Sequence, residues 1–135
     1  MPPDDAAERP RQSVVDGYSS AMEIVRGAIE LDRLRAMAEA RFGDLVKAVV
    51  DVEREVMAIG EGMHADEEAG LLEDGSRQTA LWGINLYPAE YAGSDWLEFD
   101  SMINIRPLQQ NRTRSVDDPA IRARIVDIVQ RLVVP

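Results

Sequence analysis

The chain has 135 residues, enough for one domain with a single core and little more. Hydrophobic residues make up 45% and charged residues 30%, a soluble globular profile, and the lack of cysteine excludes disulfides, thiolate metal sites and cysteine nucleophiles. The formal net charge of -10 disfavours non-specific nucleic-acid binding, which relies on cations displacing counterions.

That charge is uneven. Residues 23–103 carry 18 acids and seven bases, a net of -11, whereas residues 104–135 carry six bases and three acids, a net of +3. No apolar run approaches the ~20 residues that span a bilayer, so no membrane role is expected. The N-terminus lacks the basic-then-apolar order of a signal peptide, and a cytoplasmic location follows as the expectation.

Residues 1–21 hold Pro2, Pro3 and Pro10 among small polar residues with no apolar period, and read as a disordered extension to a domain at 22–135. Met22 to Gly27 predicts a short strand. Leu31, Leu34, Ala38 and Phe42 recur at helical spacing, with Gly43 placed for a left-handed cap. From Val46 to Glu53 the even positions are apolar, which predicts a strand, and Val56 to Ile59 a second one. The link Glu53-Arg54-Glu55 lacks the Asn-Gly or Asp-Gly of a standard hairpin turn.

His64 to Ser76 predicts a short helix with acids crowding its first turn and Gly75 at its end. Leu81 to Tyr87 predicts a strand with Trp82, Ile84 and Leu86 on one face and Gly83, Asn85 and Tyr87 on the other. Trp96 to Arg106 alternates with period two over its whole length. As a strand it turns Leu97, Phe99, Ile103 and Ile105 to the core and Glu98, Asp100, Asn104 and Arg106 away from it. A polar loop, 108–116, precedes a last helix with Asp118 as N-cap, Pro119 at its first position and a stripe of Ile121, Ile125, Ile128, Val129 and Leu132. The order β-α-β-β-α-β-β-α predicts an α+β domain: a mostly antiparallel sheet of about five strands with helices on one face.

Two constellations could carry chemistry. His64, Asp66, Glu98 and Asp100 are residue types that ligate divalent metals, although their spacing matches no standard motif. Arg106 with Asn111, Arg112 and Arg114 forms a polar and basic set before a helix N-terminus, suited to an anionic ligand or to pairing with the acidic body, and Asn85 and Asn104 on the polar strand faces join it as binding candidates. Trp82, Trp96, Tyr87 and Tyr91 either floor a pocket or cap the core. Phosphate-loop, dinucleotide and nucleophile-elbow motifs are missing.

His64-Ala65-Asp66-Glu67-Glu68, the run Leu81 to Pro88 and the run Glu98 to Pro107 together resemble a family of short prokaryotic proteins known only as a domain of unknown function. The resemblance spans about Met22 to Leu132. It implies a stand-alone domain and brings no activity, cofactor or catalytic residue. Relatives often carry glycines in the loop before the last helix, where this chain has Gln110 and Ser115. The leading expectation is a small ligand- or protein-binding regulatory domain that self-associates as a homodimer. The alternatives are a metal-assisted hydrolase of a phosphate-containing or other anionic substrate, and an acidic, antitoxin-like inhibitor of a basic partner.

Overall fold

The computed structural model describes residues 22–135, so the extension expected at 1–21 lies outside the described residues. The elements are β1 (Glu23–Val25), β2 (Ile29–Glu30), α1 (Leu31–Arg41), β3 (Val46–Asp51), β4 (Val56–Ile59), α2 (His64–Glu73), β5 (Leu81–Leu86), β6 (Leu97–Glu98), α3 (Pro119–Leu132) and β7 (Val133–Val134). Five strands form one antiparallel sheet in the order β1-β4-β3-β5-β6. β2 and β7 make a separate two-residue parallel pair. The architecture is α+β, as the element order predicted. Among the described residues no helix is long and apolar enough to cross a membrane.

Register explains the core. Ala48 lies opposite Ile59 on one side and Ile84 on the other, and Val50 lies opposite Met57 and Trp82. These residues therefore share one face, and α1 (Leu34, Ala38) and α3 (Ile125, Ile128, Val129, Leu132) bury it. Asp118 accepts a hydrogen bond from the Ala120 amide at 2.8 Å, so α3 starts where its cap residue directs. Gly43, just past the Phe42 cap of α1, takes a φ of +96°, as a helix-ending glycine should.

The helices do not all pack on one face. Leu71 of α2 sits on the opposite side with Val49, Val56, Ala58 and Leu81. The cause is visible in β3 and β4: Val49 and Ala58 are apolar where the alternation calls for polar residues, and they provide α2 with a dry seat. The β3–β4 hairpin also turns without Asn-Gly. Asp51 Oδ1 accepts from the amides of Glu53 (2.8 Å) and Arg54 (2.9 Å), and Glu55 takes the left-handed conformation at φ +59°.

The long strand predicted over 96–106 is cut short. β6 ends at Glu98, and a 3-10 turn follows at Met102–Asn104. Ser101 starts that turn, its Oγ accepting from the Ile103 amide at 3.3 Å. The fully buried Asn104 carboxamide then does what a neighbouring strand would do. Its Oδ1 accepts from Gly83 N at 2.8 Å and its Nδ2 donates to Gly83 O at 3.0 Å. Gly83 permits this close approach, because a Cβ there would lie 2.6 Å from Ser101 Cβ and Oγ. Leu97 and Phe99 consequently pack on the α1/α3 face while Ile103 packs on the α2 face.

Candidate functional site

Helical periodicity places His64, Glu67 and Leu71 on one side of α2, at i, i+3 and i+7. That side faces the sheet. His64 is 8% exposed, and Glu67 and Leu71 are fully buried. Leu71 rests on the apolar half of the α2 face. At the His64 end the sheet becomes polar, because Lys47 of β3, Asn85 of β5 and Glu98 of β6 stand in one register row. The chain has a single lysine and a single histidine among its fourteen arginines, and both belong to this end of the sheet.

The His64 ring donates from Nε2 to the Ile84 carbonyl at 2.8 Å, since a carbonyl oxygen can only accept. Burial holds its pKa below the ordinary 6.5, and Lys47 nearby lowers it further; the Ile84 bond, Asp100 and Asn85 act in the opposite direction. At neutral pH the ring is therefore uncharged, with a lone pair on Nδ1. Asn85 Nδ2 donates to Glu98 Oε1 at 2.9 Å and to the Asp100 carbonyl at 3.4 Å. Asn85 Oδ1 is buried and has no partner among the described residues. The Tyr87 hydroxyl donates to the same Glu98 oxygen at 2.9 Å, and its pKa is pushed up to about 12 by burial and by that carboxylate.

Glu67 is the second anomaly. Its Oε2 accepts from the Glu61 amide at 3.2 Å, while its Oε1 is buried without a partner among the described residues. Burial pushes its pKa well above 4.5; the Glu61 amide, Lys47 and Arg41 pull the other way. The site thus joins a neutral imidazole, a carboxylic acid held towards its neutral form, an unsatisfied carboxamide oxygen and an ammonium. A cleft of about 550 Å³ opens beside Lys47, between the end of α1 and the starts of β3 and the β4–α2 link. A larger cleft of about 820 Å³ lies past Glu98, between β6 and α3.

Of the residues singled out in the sequence, the fold brings His64, Asn85 and Glu98 to this site, with Asp100 beside it. Asp100 is paired with Arg114 at 2.6 Å, and Asp66 is exposed although its neighbour Glu67 is buried. Among the described residues no three His, Asp or Glu side chains are grouped so as to hold a metal ion.

Most of the polar set from the loop is committed to the backbone. Asn104 pairs with Gly83, and its Nδ2 also reaches the Arg114 carbonyl at 2.9 Å. Asn111 Nδ2 donates to the carbonyls of Asn104 and Ser115, both at 2.7 Å, and its Oδ1 accepts from Asp117 N at 2.7 Å. Arg106 lies 4.1 Å over the Trp82 ring and donates to the carbonyls of Gln78 and Leu81. Arg112 is exposed, and its backbone N–H donates to Asp117. Trp82 and Trp96 are both buried, so they act as core, with Tyr91 packed edge-on against Trp96 at 5.0 Å.

Lys47 was not among the candidate residues in the sequence, and Glu67 stood there only as a neighbour in the acidic run after His64. Their signals were the lone lysine in an arginine-rich chain and the His64–Glu67–Leu71 spacing. Neither a curated protein nor a solved structure matches the chain. The family model described as "Protein of unknown function (DUF5674)" matches residues 23–132, and the chain belongs to that family.

Proposed function

We propose that the domain binds a small anionic ligand at the polar end of the α2 face, and that Lys47, His64 and Asn85 are its contacts. The observation that carries this reading is Asn85 Oδ1, a buried acceptor with no donor among the described residues, in the same sheet row as the only lysine. A buried polar atom left unpaired costs about 1–3 kcal/mol, and a ligand N–H or O–H would remove that cost. Lys47 forms no ion pair among the described residues, so it supplies the charge that selects an anion. Glu98 is already engaged by Asn85 and Tyr87 and orients the carboxamide.

Saturation-transfer NMR with a panel of hydroxy acids and phosphate monoesters tests the reading. The expected binders lose their signal in Lys47→Gln and in Asn85→Leu, with both variants still folded by thermal melting. A panel without binders, or binders indifferent to both substitutions, would contradict it.

A further inference from the structure

We infer that the ligand is an anion with a flat apolar body: its charged group lies between Arg41 and Lys47 and its body in the cleft of about 550 Å³ beside them. This rests on the binding reading above and adds the ligand's class. The volume is within the range of small-molecule sites, which are mostly apolar with a few placed polar groups. The apolar walls are Met37, Ala40, Phe42, Leu45 and Val46. Phe42, the residue after the last turn of α1, is 41% exposed and presents an aromatic surface.

Many arginines elsewhere find acids: Arg26 and Arg54 share Asp74, Arg124 and Arg131 share Glu55, and Arg77 takes Glu53, while Arg106 and Arg122 lie over aromatic rings and Arg112 is exposed, these three without an ion pair among the described residues. Within the cleft, Arg33 is similarly paired with Glu23 at 2.6 Å. Arg41 and Lys47 are different. Arg41 has only a long contact, 3.5 Å, to the Gly60 carbonyl, and the Lys47 ammonium lies 5.2 Å over the Phe42 ring. Neither forms an ion pair among the described residues, in a chain whose net charge is -10. Glu61 also lines the cleft, so with Arg33 and Glu23 paired the lining keeps one cation in excess, which favours an anion, and the exposed aromatic ring favours one with a flat body to stack on it.

The far rim joins this cleft to the buried acid. Gly60 (φ +102°) turns the chain out of β4, and the next residue, Glu61, donates its amide to Glu67. The rim is therefore anchored from below. The larger cleft past Glu98 has the opposite character, with Glu90, Asp95 and Glu98 against a single Arg122 that lies 4.5 Å over Phe99.

The test is a ¹⁵N–¹H titration of the full chain with three probes: 1-naphthyl phosphate, inorganic phosphate and 1-naphthol. Naphthyl phosphate is expected to shift the amides of Phe42, Leu45, Lys47, Gly60 and Glu61, and to bind about tenfold more tightly than either partial probe. Arg41→Gln with Lys47→Gln should weaken it by about tenfold or more, and Phe42→Ala, at an exposed position, should weaken naphthyl phosphate but not phosphate. Naphthol binding as tightly as the phosphate ester would overturn the anionic class. Shifts confined to Asn85 and Glu98 would overturn the cleft assignment and leave binding at the polar row standing. No shift at either place with any probe would count against both.

Discussion

The two faces of the sheet are built from the same strands and do different work. Along β5, Trp82, Ile84 and Leu86 enter the core beneath α1 and α3, while Gly83 and Asn85, interleaved with them, face α2. The 14-residue α3 carries four buried apolar residues, whereas the ten-residue α2 buries Leu71 together with His64 and Glu67. At 1.5 Å per residue, α2 is about 15 Å long. Its apolar contact covers Val49, Val56, Ala58 and Leu81, and at its N-terminal end polar side chains fill the space. One face is thus sealed by hydrophobic area, and the other is sealed at one end and left with unmet hydrogen-bonding capacity at the other.

The largest expected effect breaks the sealed face. Ile84→Ala removes a fully buried side chain beneath α1 and α3 and should cost roughly 2–5 kcal/mol in urea unfolding. A loss under 1 kcal/mol would mean that this face is not the main core.

A second substitution sharpens the contrast from the other side. Glu67→Gln keeps the shape of the buried group and removes its ionisation, and should raise stability above pH 7 by roughly 1–3 kcal/mol. The sign follows from linkage. A carboxyl whose folded pKa lies above its unfolded value binds more protons in the folded state, so the parent loses stability as pH rises from about 4.5 through the folded pKa. Unfolding at several pH values should show that decline in the parent and its absence in Glu67→Gln.

His64 acts with the opposite sign. Its folded pKa lies below 6.5, so the unfolded state takes up the proton first, and the parent loses stability as pH falls from 6.5 through the folded pKa. The single histidine makes this directly measurable, because one set of imidazole signals should titrate with a midpoint below 6.5. A midpoint at 6.5 would mean that the ring is solvated, and one above 6.5 that it is paired with a carboxylate.

The smallest effect concerns the loop before α3. Gln110 holds a left-handed conformation at φ +64°, the backbone shape that glycine adopts most easily. Gln110→Gly should raise the urea midpoint by an amount worth up to about 1 kcal/mol and leave the polar end of the α2 face unchanged.

Much of the fold was legible in the sequence. α1 and α3 carry a clear helical period, β3 and β5 keep an apolar residue at every even position, and Asp118, Pro119 and Gly43 mark helix ends chemically. Trp96 to Arg106 misled because its alternation continues through Ser101. The break is set by a partner 21 residues away, where the Asn104 side chain, rather than its backbone, pairs with Gly83. The side chosen by α2 was hidden for a related reason. Its apolar stripe is thin, and the deciding feature is the pair Val49 and Ala58 on other strands.

The site was half legible. His64 and Asn85 were singled out by residue type and strand face. Lys47 lies in an apolar strand and Glu67 in an acidic helix start, so neither is marked locally, and only the docking of α2 buries Glu67 and brings Lys47 within its electrostatic reach. Asn104 and Asn111 pointed the wrong way, since buried asparagines that organise a loop look in sequence like asparagines that bind a ligand.

The most direct measurement uses the fact that lysine and histidine each occur once. Reductive methylation with ¹³C-formaldehyde places an NMR probe on Lys47, and the His64 ring supplies a second. Addition of hydroxy acids and phosphate monoesters from the binding panel should move both signals with the same saturation curve for at least one compound, which is the result expected if the polar end of the α2 face is a binding site. Both signals unmoved by every compound of the panel, while the chain stays folded, would contradict it.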